Sequence, residues 1–321
     1  MSAPVTISIA LCTCNGERFL GEQLVSLASQ SCLPSELVVC DDASDDGTYE
    51  LLENFARSAP FPVRLYRNQK RLGIGQNFEQ AIRLCSGSVI ALCDQDDVWL
   101  PEKLARYAEC FSNEIDWIFC DARVMDATLL PLAYTLWEAT AFTEDQRRLA
   151  RDGRVFEVLL KHYVVAGATI AFRAELRDQL LPIPSEWHYD AWLVAVLAAT
   201  KKSTMVEACM QHYRQHEHNA LGMAQRSLLS QIRDAFDVNR TDYLAMEICR
   251  WQLLVERLGN AETPACVLPQ LEAKCSHLLQ RAAFPTNRLL RMPFVVAEIA
   301  RGGYSRFSRN WGSVALDLFL K

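Results

Sequence analysis

The residues Asp94-Gln95-Asp96-Asp97 follow directly on an apolar run, Val89–Cys93. Three carboxylates within four residues repel one another, and a bound cation is one reason for a chain to keep them together. Mg²⁺ and Mn²⁺ take oxygen ligands and are commonly shared between protein carboxylates and substrate phosphates. A solvated acidic turn accounts for the same residues, with Asp97 capping a helix that opens near Pro101. A second acidic group, Asp41 to Asp46, follows the apolar run Leu37–Cys40 and ends in Gly47-Thr48. Ser44, Asp45 and Asp46 suit a turn and a helix cap. Asp41 and Asp42 instead close a buried strand, where a carboxylate can accept the imide N–H of uracil or thymine. A third polar group, Thr13 to Glu17, follows the run Val5–Leu11. Asp190 stands between aromatics in His188-Tyr189-Asp190-Ala191-Trp192 at the head of an apolar stretch. It reads either as the N-cap of a helix or as a general base whose affinity for a proton is raised by partial desolvation.

The elements that must carry these groups alternate. Val5–Leu11, Leu37–Cys40, Val63–Tyr66 and Val89–Cys93 are continuous apolar runs, as expected of strands covered by helices on both faces. Phe19–Ser29, Thr48–Arg57 and Phe78–Leu84 have helical spacing between them, so an α/β sheet is expected. Ligands of such sheets bind beyond the carboxyl ends of the strands, and all three polar groups fall there. The segment Gly73 to Phe78 resembles a dinucleotide loop but has Phe78 where the third glycine belongs. It is read as a loop-to-helix turn. His212, His216 and His218 lie close together without the further ligands that a zinc site requires. Strand signals fade beyond Gly222, and Ser227–Leu258 and Val267–Ala283 read as helices. The expected division is therefore residues 1–222 and a helical extension, 223–321.

The chain has 321 residues, half of them hydrophobic, 22% charged, with a net charge of −6. Disorder and a dominant nucleic-acid-binding footprint are not expected from such a balance. Twelve cysteines without a CxxC pair read as reduced thiols in apolar surroundings. The N-terminal residues lack a basic region of the secretory type, and no run approaches the length of a membrane span. A cytoplasmic location is the resulting expectation. The tail carries Arg281, Arg288, Arg291, Arg301, Arg306, Arg309 and Lys321 against Glu298 and Asp317. Two readings of it stay open: peripheral contact with the inner face of the cell membrane, or packing against the rest of the protein with the arginines in water.

Taken in order, T-x-N-G (13–16), D-D-x-S-x-D-G-T (41–48) and D-Q-D-D-V-W-L-P-x-K (94–103) resemble the inverting glycosyltransferases of family 2, and in particular their rhamnosyltransferase-like branch. V-A-G-A-T (165–169), L-P-I-P (181–184), H-Y-D-A-W (188–192) and Y-R-Q-H (213–216) continue the resemblance in order. It implies a GT-A nucleotide-sugar-binding sheet flanked by helices, with a mostly helical C-terminal segment. Thr13, Asn15, Glu17, Asp42, Asn77, Asp94 and Arg214 are then expected at the nucleotide-sugar. Asp94, Asp96 and His216 are expected at a Mn²⁺ or Mg²⁺ ion, and Asp190 as the base that accepts the acceptor's proton. The implied partners are a nucleoside-diphosphate sugar, among them dTDP-rhamnose and UDP-sugars, and a glycan or lipid-linked acceptor of surface polysaccharide synthesis. Nucleic acid is not an expected partner. Cys14 departs from the pattern, since the family usually has a tyrosine there. Two other readings remain: a nucleotidyltransferase, for which Thr13 to Arg18 is a poor phosphate loop, and a catalytically silent sugar-binding domain.

Overall fold

The computed structural model describes residues 4–111, 114–217, 239–259, 263–309 and 311–320. They form two compact units. One comprises residues 1–153, 165–197 and 201–223; the other comprises 154–164, 198–200 and 224–321. The second unit thus takes in two short segments, 154–164 and 198–200, from within the span of the first, which no sequence feature sets apart.

The first unit is built on strands β1 (Ile7–Thr13), β2 (Glu36–Asp41), β3 (Val63–Arg67), β4 (Val89–Cys93), β5 (Val98–Trp99), β6 (Trp117–Met125), β7 (Pro131–Thr135), β8 (Ile170–Arg173) and β9 (Ser203–Arg214). Among the described residues they make one sheet of order β3-β2-β1-β4-β8-β6-β9-β5, with β7 paired to β6. The pairs β1–β2, β2–β3 and β1–β4 are parallel. The chain moves outward from β1 to β3 and then returns to the other side of β1 as β4. That reversal is a topological switch point, and it opens a crevice at the carboxyl ends of β1 and β4.

Helices α1 (Glu17–Ala28), α2 (Thr48–Ser58), α3 (Ile74–Leu84) and α4 (Lys103–Phe111) follow β1, β2, β3 and β5. Each turns its apolar stripe inward: α1 buries Phe19, Leu20, Leu24 and Leu27, and α3 buries Phe78, Ala81 and Ile82. Every residue of β1, β2 and β4 is buried. The expected elements therefore stand, with α3 beginning four residues earlier than its apolar spacing suggests. Gly73, at φ +85°, makes the turn into it, a conformation in which glycine carries no Cβ penalty.

A buried carboxylate fastens the opposite end of the sheet. Glu36 accepts hydrogen bonds from Ser8 Oγ (2.7 Å), the Ser86 N–H (2.6 Å) and hydroxyl (2.8 Å), and Arg64 Nη1 (3.0 Å). Burial alone would raise its pKa. The bonds from Ser86, Ser8 and Arg64 outweigh it and hold the group at about 2, against an ordinary 4.5. A depressed folded-state pKa contributes stability above the unfolded value and loses it as pH falls through the folded one. Glu36→Gln should therefore cost about 2 kcal/mol at pH 7. In urea titrations the difference from wild type should narrow as pH falls from 4.5 toward 2; a pH-independent difference would remove the ionic explanation.

In the second unit, helices Arg240–Gly259, Val267–Ala282, Arg288–Ala300, Gly303–Phe307 and Trp311–Phe319 are described. Only the last part of the expected Ser227–Leu258 helix lies among the described residues. Asp317, fully buried, accepts from Arg240 Nε (2.8 Å), Arg281 Nε (2.7 Å) and the Tyr304 hydroxyl (2.5 Å). Arg291 is buried as well and donates to the carbonyls of Pro285, Thr286, Asp317 and Leu320. This corrects both readings of the tail in one respect. Arg281 and Arg291 face neither water nor a membrane, because an internal carboxylate and the carbonyls of a loop and of the last helix use their donors.

Candidate active site

A cavity of about 410 Å³ lies at the switch point, entirely within the first unit. Its wall takes Thr13 and Cys14 from the end of β1, Asp42 from the end of β2, and Asp94 to Asp96 from the end of β4. Residues 71–78 contribute Arg71, Asn77 and Phe78; Gly167 and the His188 to Asp190 segment complete the far side. Thr13, Asp42, Asn77, Asp94, Asp96 and Asp190 are thus brought together as the sequence pattern suggested. Asn15, Glu17, Arg214 and His216 are not among the wall residues.

The first two loops are stitched to each other. Asn15, at φ +50°, donates its N–H to Ser44 Oγ (2.9 Å) and accepts the Asp45 N–H at Oδ1 (3.0 Å). Glu17 accepts the Gly47 N–H at Oε2 (3.0 Å). Thr13 Oγ1 donates to Asp41 Oδ1 (3.0 Å), which also takes the Ser44 hydroxyl at 2.5 Å. Asn15 and Glu17 therefore shape the loops that the wall is made from. Asp42 fixes the turn before α3 by accepting the N–H groups of Leu72 (2.7 Å) and Gly73 (2.9 Å) and Asn68 Nδ2 (2.9 Å). Its Oδ2 takes only the Gly73 bond of these, and a carboxylate oxygen accepts two. Asn77 donates Nδ2 to the Cys40 carbonyl (2.7 Å) and accepts from Asn68 (2.9 Å).

Gln95 lines the cavity as well, although the sequence gives it no role beyond its place in the acidic motif. Its Oε1 accepts the Cys14 N–H (2.8 Å) and its Nε2 donates to the Cys14 carbonyl (3.1 Å), clamping the acidic turn to the β1 loop. A Cβ on Gly16 would come within 2.3 Å of that Oε1, which explains a glycine at this point. The signal was present, because Gln95 sits inside the acidic motif, but nothing in the sequence names its partner.

Asp97 does not cap α4, contrary to one expectation. It is fully buried and accepts from Gln211 Nε2 (2.7 Å) and the Arg214 N–H (3.1 Å), which ties the acidic turn to β9. Lys103, also buried, completes the network through Gln211 Oε1 (2.5 Å) and the Ala168 carbonyl (2.8 Å). Arg214 supports the same turn from outside the cavity. Its Nε donates to the Asp96 carbonyl (2.8 Å), Nη1 to the Ala127 carbonyl (2.9 Å), and Nη2 pairs with Glu22. These partners orient Asp96 and occupy the guanidinium that was expected at the nucleotide-sugar. His216 Nε2 lies 2.9 Å from Asp96 Oδ2. His218 lies outside the described residues.

Asp94 Oδ1 accepts the Tyr189 hydroxyl at 3.2 Å, and the Tyr189 ring stacks on Phe78 with centroids 4.0 Å apart. Asp190 accepts the Gly167 N–H at Oδ2 (3.2 Å) and the Ala191 N–H at Oδ1 (2.8 Å). It lies in the first turn of the helix Tyr189–Thr200, whose N-cap is His188. A Cβ on Gly167 would fall 2.3 Å from the Tyr189 hydroxyl and 3.0 Å from Asp190 Cβ. The glycine of the apolar 163–172 stretch is thus what lets this helix start approach the sheet. Burial, then the charges of Asp96 and Asp190, push Asp94 up to about 7 against the Tyr189 bond and the Lys103 charge.

Crowded carboxylates of this kind suit a hard divalent cation, which would relieve their repulsion. Among the described residues no three His, Cys, Asp or Glu side chains converge into a ready-made metal site. Asp94 and Asp96 nevertheless fit one as a partial set, completed by substrate phosphate oxygens and water. His216 fits either as a further ligand or as the group that orients Asp96.

An open α/β sheet with a nucleotide-sized cavity and an acidic turn at its switch point defines the GT-A class of glycosyltransferases, and comparison with known proteins agrees. The model of glycosyl transferase family 2 matches residues 8–179, more than half of the chain, and the protein belongs to that family. The dTDP-rhamnosyl transferase RfbG of Shigella flexneri is 31% identical over 109 residues, 32% of this chain and 38% of that one. TarS 1–349 of S. aureus, solved with UDP-GlcNAc, is similar with a TM-score of 0.59 at 16% identity, covering 96% of this chain and 90% of that one. The mannosyltransferase PcManGT of Pyrobaculum calidifontis, solved with GDP-Man and Mn²⁺, gives 0.55 at 18% identity, covering 99% and 86%. At these identities the likeness establishes the fold. The chain spans 66% and 59% of the length of two uncharacterised relatives, from Nostoc and Mycobacterium bovis.

Proposed function

We propose that the protein is an inverting glycosyltransferase that depends on Mn²⁺ or Mg²⁺. In this reading it moves a sugar from a nucleoside diphosphate to a hydroxyl of a glycan or lipid-linked acceptor in surface polysaccharide synthesis. The observation that carries this reading is the convergence of Asp94, Asp96 and Asp190 on one cavity at the switch point. Residues 1–222 would be the catalytic part and 223–321 an extension. A cytoplasmic site of action belongs to the same reading; no described helix is long and apolar enough to cross a membrane.

Inverting transfer is an in-line displacement at the anomeric carbon. Asp190 takes the proton of the attacking hydroxyl as the new glycosidic bond forms. Gly167 and the helix start hold that carboxylate in position. A divalent cation held by Asp94 and Asp96, with His216, would supply charge stabilisation for the departing diphosphate. Arg214 and Asp97 keep the acidic turn in place from outside the cavity, and Gln95 clamps it from within the wall. Asp42 and Thr13 receive the nucleoside, with the remaining acceptor capacity of Asp42 Oδ2 suited to a pyrimidine imide. Cys14 offers that base no aromatic face, so pairing with Asp42 carries more of the base preference than stacking does. The likeness to a dTDP-rhamnosyl transferase favours a dTDP-deoxysugar donor.

The test is nucleotide release from dTDP-rhamnose, UDP-sugars and GDP-mannose with Mn²⁺, in the presence of a mixed glycan acceptor pool. Release of nucleoside diphosphate from one donor supports transfer. Binding of every donor tried with no release would identify a silent binding domain, and release of pyrophosphate from a nucleoside triphosphate would identify a nucleotidyltransferase.

A further inference from the structure

The helix Arg288–Ala300 inverts the usual arrangement of a surface helix. Its charged interior positions turn inward: Arg291 and Glu298 are buried beside Val295. Its outward positions are apolar, with Leu289, Leu290, Met292, Phe294, Val296 and Ile299 all exposed, Leu289 to 86%. Surface helices of globular proteins present charge to water, and large contiguous apolar patches mark interaction sites. Arg291 and Glu298 are not misplaced. Arg291 closes the four carbonyls already described, and Glu298 Oε1 lies 2.5 Å from His277 Nδ1. The packing of this unit thus fixes which face of the helix is left outside.

The charge around the patch selects the partner. Between residues 282 and 320 the only acids are Glu298 and Asp317, and both are buried. Arg288, Arg301, Arg306 and Arg309 are exposed. The accessible charge of this segment is therefore entirely positive, and Trp311 is 75% exposed within it. A second copy of the chain docked through the same face would bring the same positive fringe and be repelled. A bilayer with anionic headgroups offers both an apolar layer and the opposite charge.

We infer that the outer face of the helix Arg288–Ala300 is a docking surface for an anionic lipid bilayer, lying in its interface without crossing it. The test is sedimentation of the full chain with vesicles of phosphatidylcholine alone or with 30 mol% phosphatidylglycerol. The mixed vesicles should bind at least about tenfold more strongly at low salt and weaken as salt is added. The double variant Leu289→Glu/Leu290→Glu should lose at least about tenfold of that binding with an unchanged thermal transition, since the two residues are 86% and 58% exposed. Arg288→Glu/Arg306→Glu leaves the apolar face intact and should erase the preference for phosphatidylglycerol. The inference is overturned by folded protein that fails to sediment at low salt or by equal binding to both vesicles. It is also overturned if light scattering reveals a dimer that the double leucine variant dissolves.

Discussion

Asp190→Asn is expected to lower kcat by roughly 10²–10⁴-fold, the range that a positioned general base contributes, while donor affinity stays within about twofold. Asparagine has nearly the same shape and can still accept one of the two N–H groups, that of Gly167 or that of Ala191, so the helix start should hold its place. It cannot take a proton from a hydroxyl. The acceptor hydroxyl, not the diphosphate, is the group that loses this partner, which is why turnover and donor binding separate. The electrostatics point the same way. Asp190 is one of the charges that raise Asp94, so neutralising it eases ionisation of Asp94 and offsets the attraction that its own charge exerts on a cation held there. Steady-state kinetics with calorimetric donor titration measures both quantities. A variant that turns over at the wild-type rate would reduce Asp190 to a partner for the Gly167 and Ala191 amides.

Asp317→Asn is expected to destabilise the second unit by about 3–5 kcal/mol. Asp317 is the carboxylate between Arg240 and Arg281, whose side chains are 4% and 2% exposed. Removing one member of a buried ion pair leaves a charge that is neither hydrated nor compensated, and here two guanidinium groups lose their partner at once. Asparagine can still accept from Tyr304, so shape and one hydrogen bond survive and the cost is mainly ionic. Urea unfolding followed by circular dichroism should show an early helical transition in the variant. A loss below about 1 kcal/mol would mean that the arginines find other partners, contrary to the account of this core.

These two residues differ in how far they could be read beforehand. Asp190 stood in an ordered set of motifs, and the resemblance those motifs carry pointed to a base where the local chemistry left base or helix cap open. Asp317 looked like one of two acids in a basic tail, because no local pattern shows that Arg240, Arg281 and Tyr304 meet it from other helices. The same limit explains Arg214 and Asp97. Both belong to recognisable motifs, yet their use depends on β9 lying beside the acidic turn, a long-range pairing without a sequence period. Gly167 was visible as a break in an apolar run, but its purpose became clear only once Tyr189 and Asp190 lay against it. The sheet itself was far easier to read, since strands buried on both faces announce themselves as β1, β2 and β4 do. The β7 strand, only partly buried, left no such trace.

The central claim is that the acidic turn receives the diphosphate of a nucleotide-sugar through a divalent cation. Calorimetric titration of the full chain with its preferred donor, in Mn²⁺ and then in EDTA, tests it most directly, with Asp96→Ala as the paired variant. The account predicts donor binding in Mn²⁺ that weakens at least about tenfold in EDTA, a difference of about 1.4 kcal/mol, and an Asp96→Ala variant that binds weakly under both conditions. Equal affinity in Mn²⁺ and EDTA, with the Asp96→Ala variant unaffected, would contradict it.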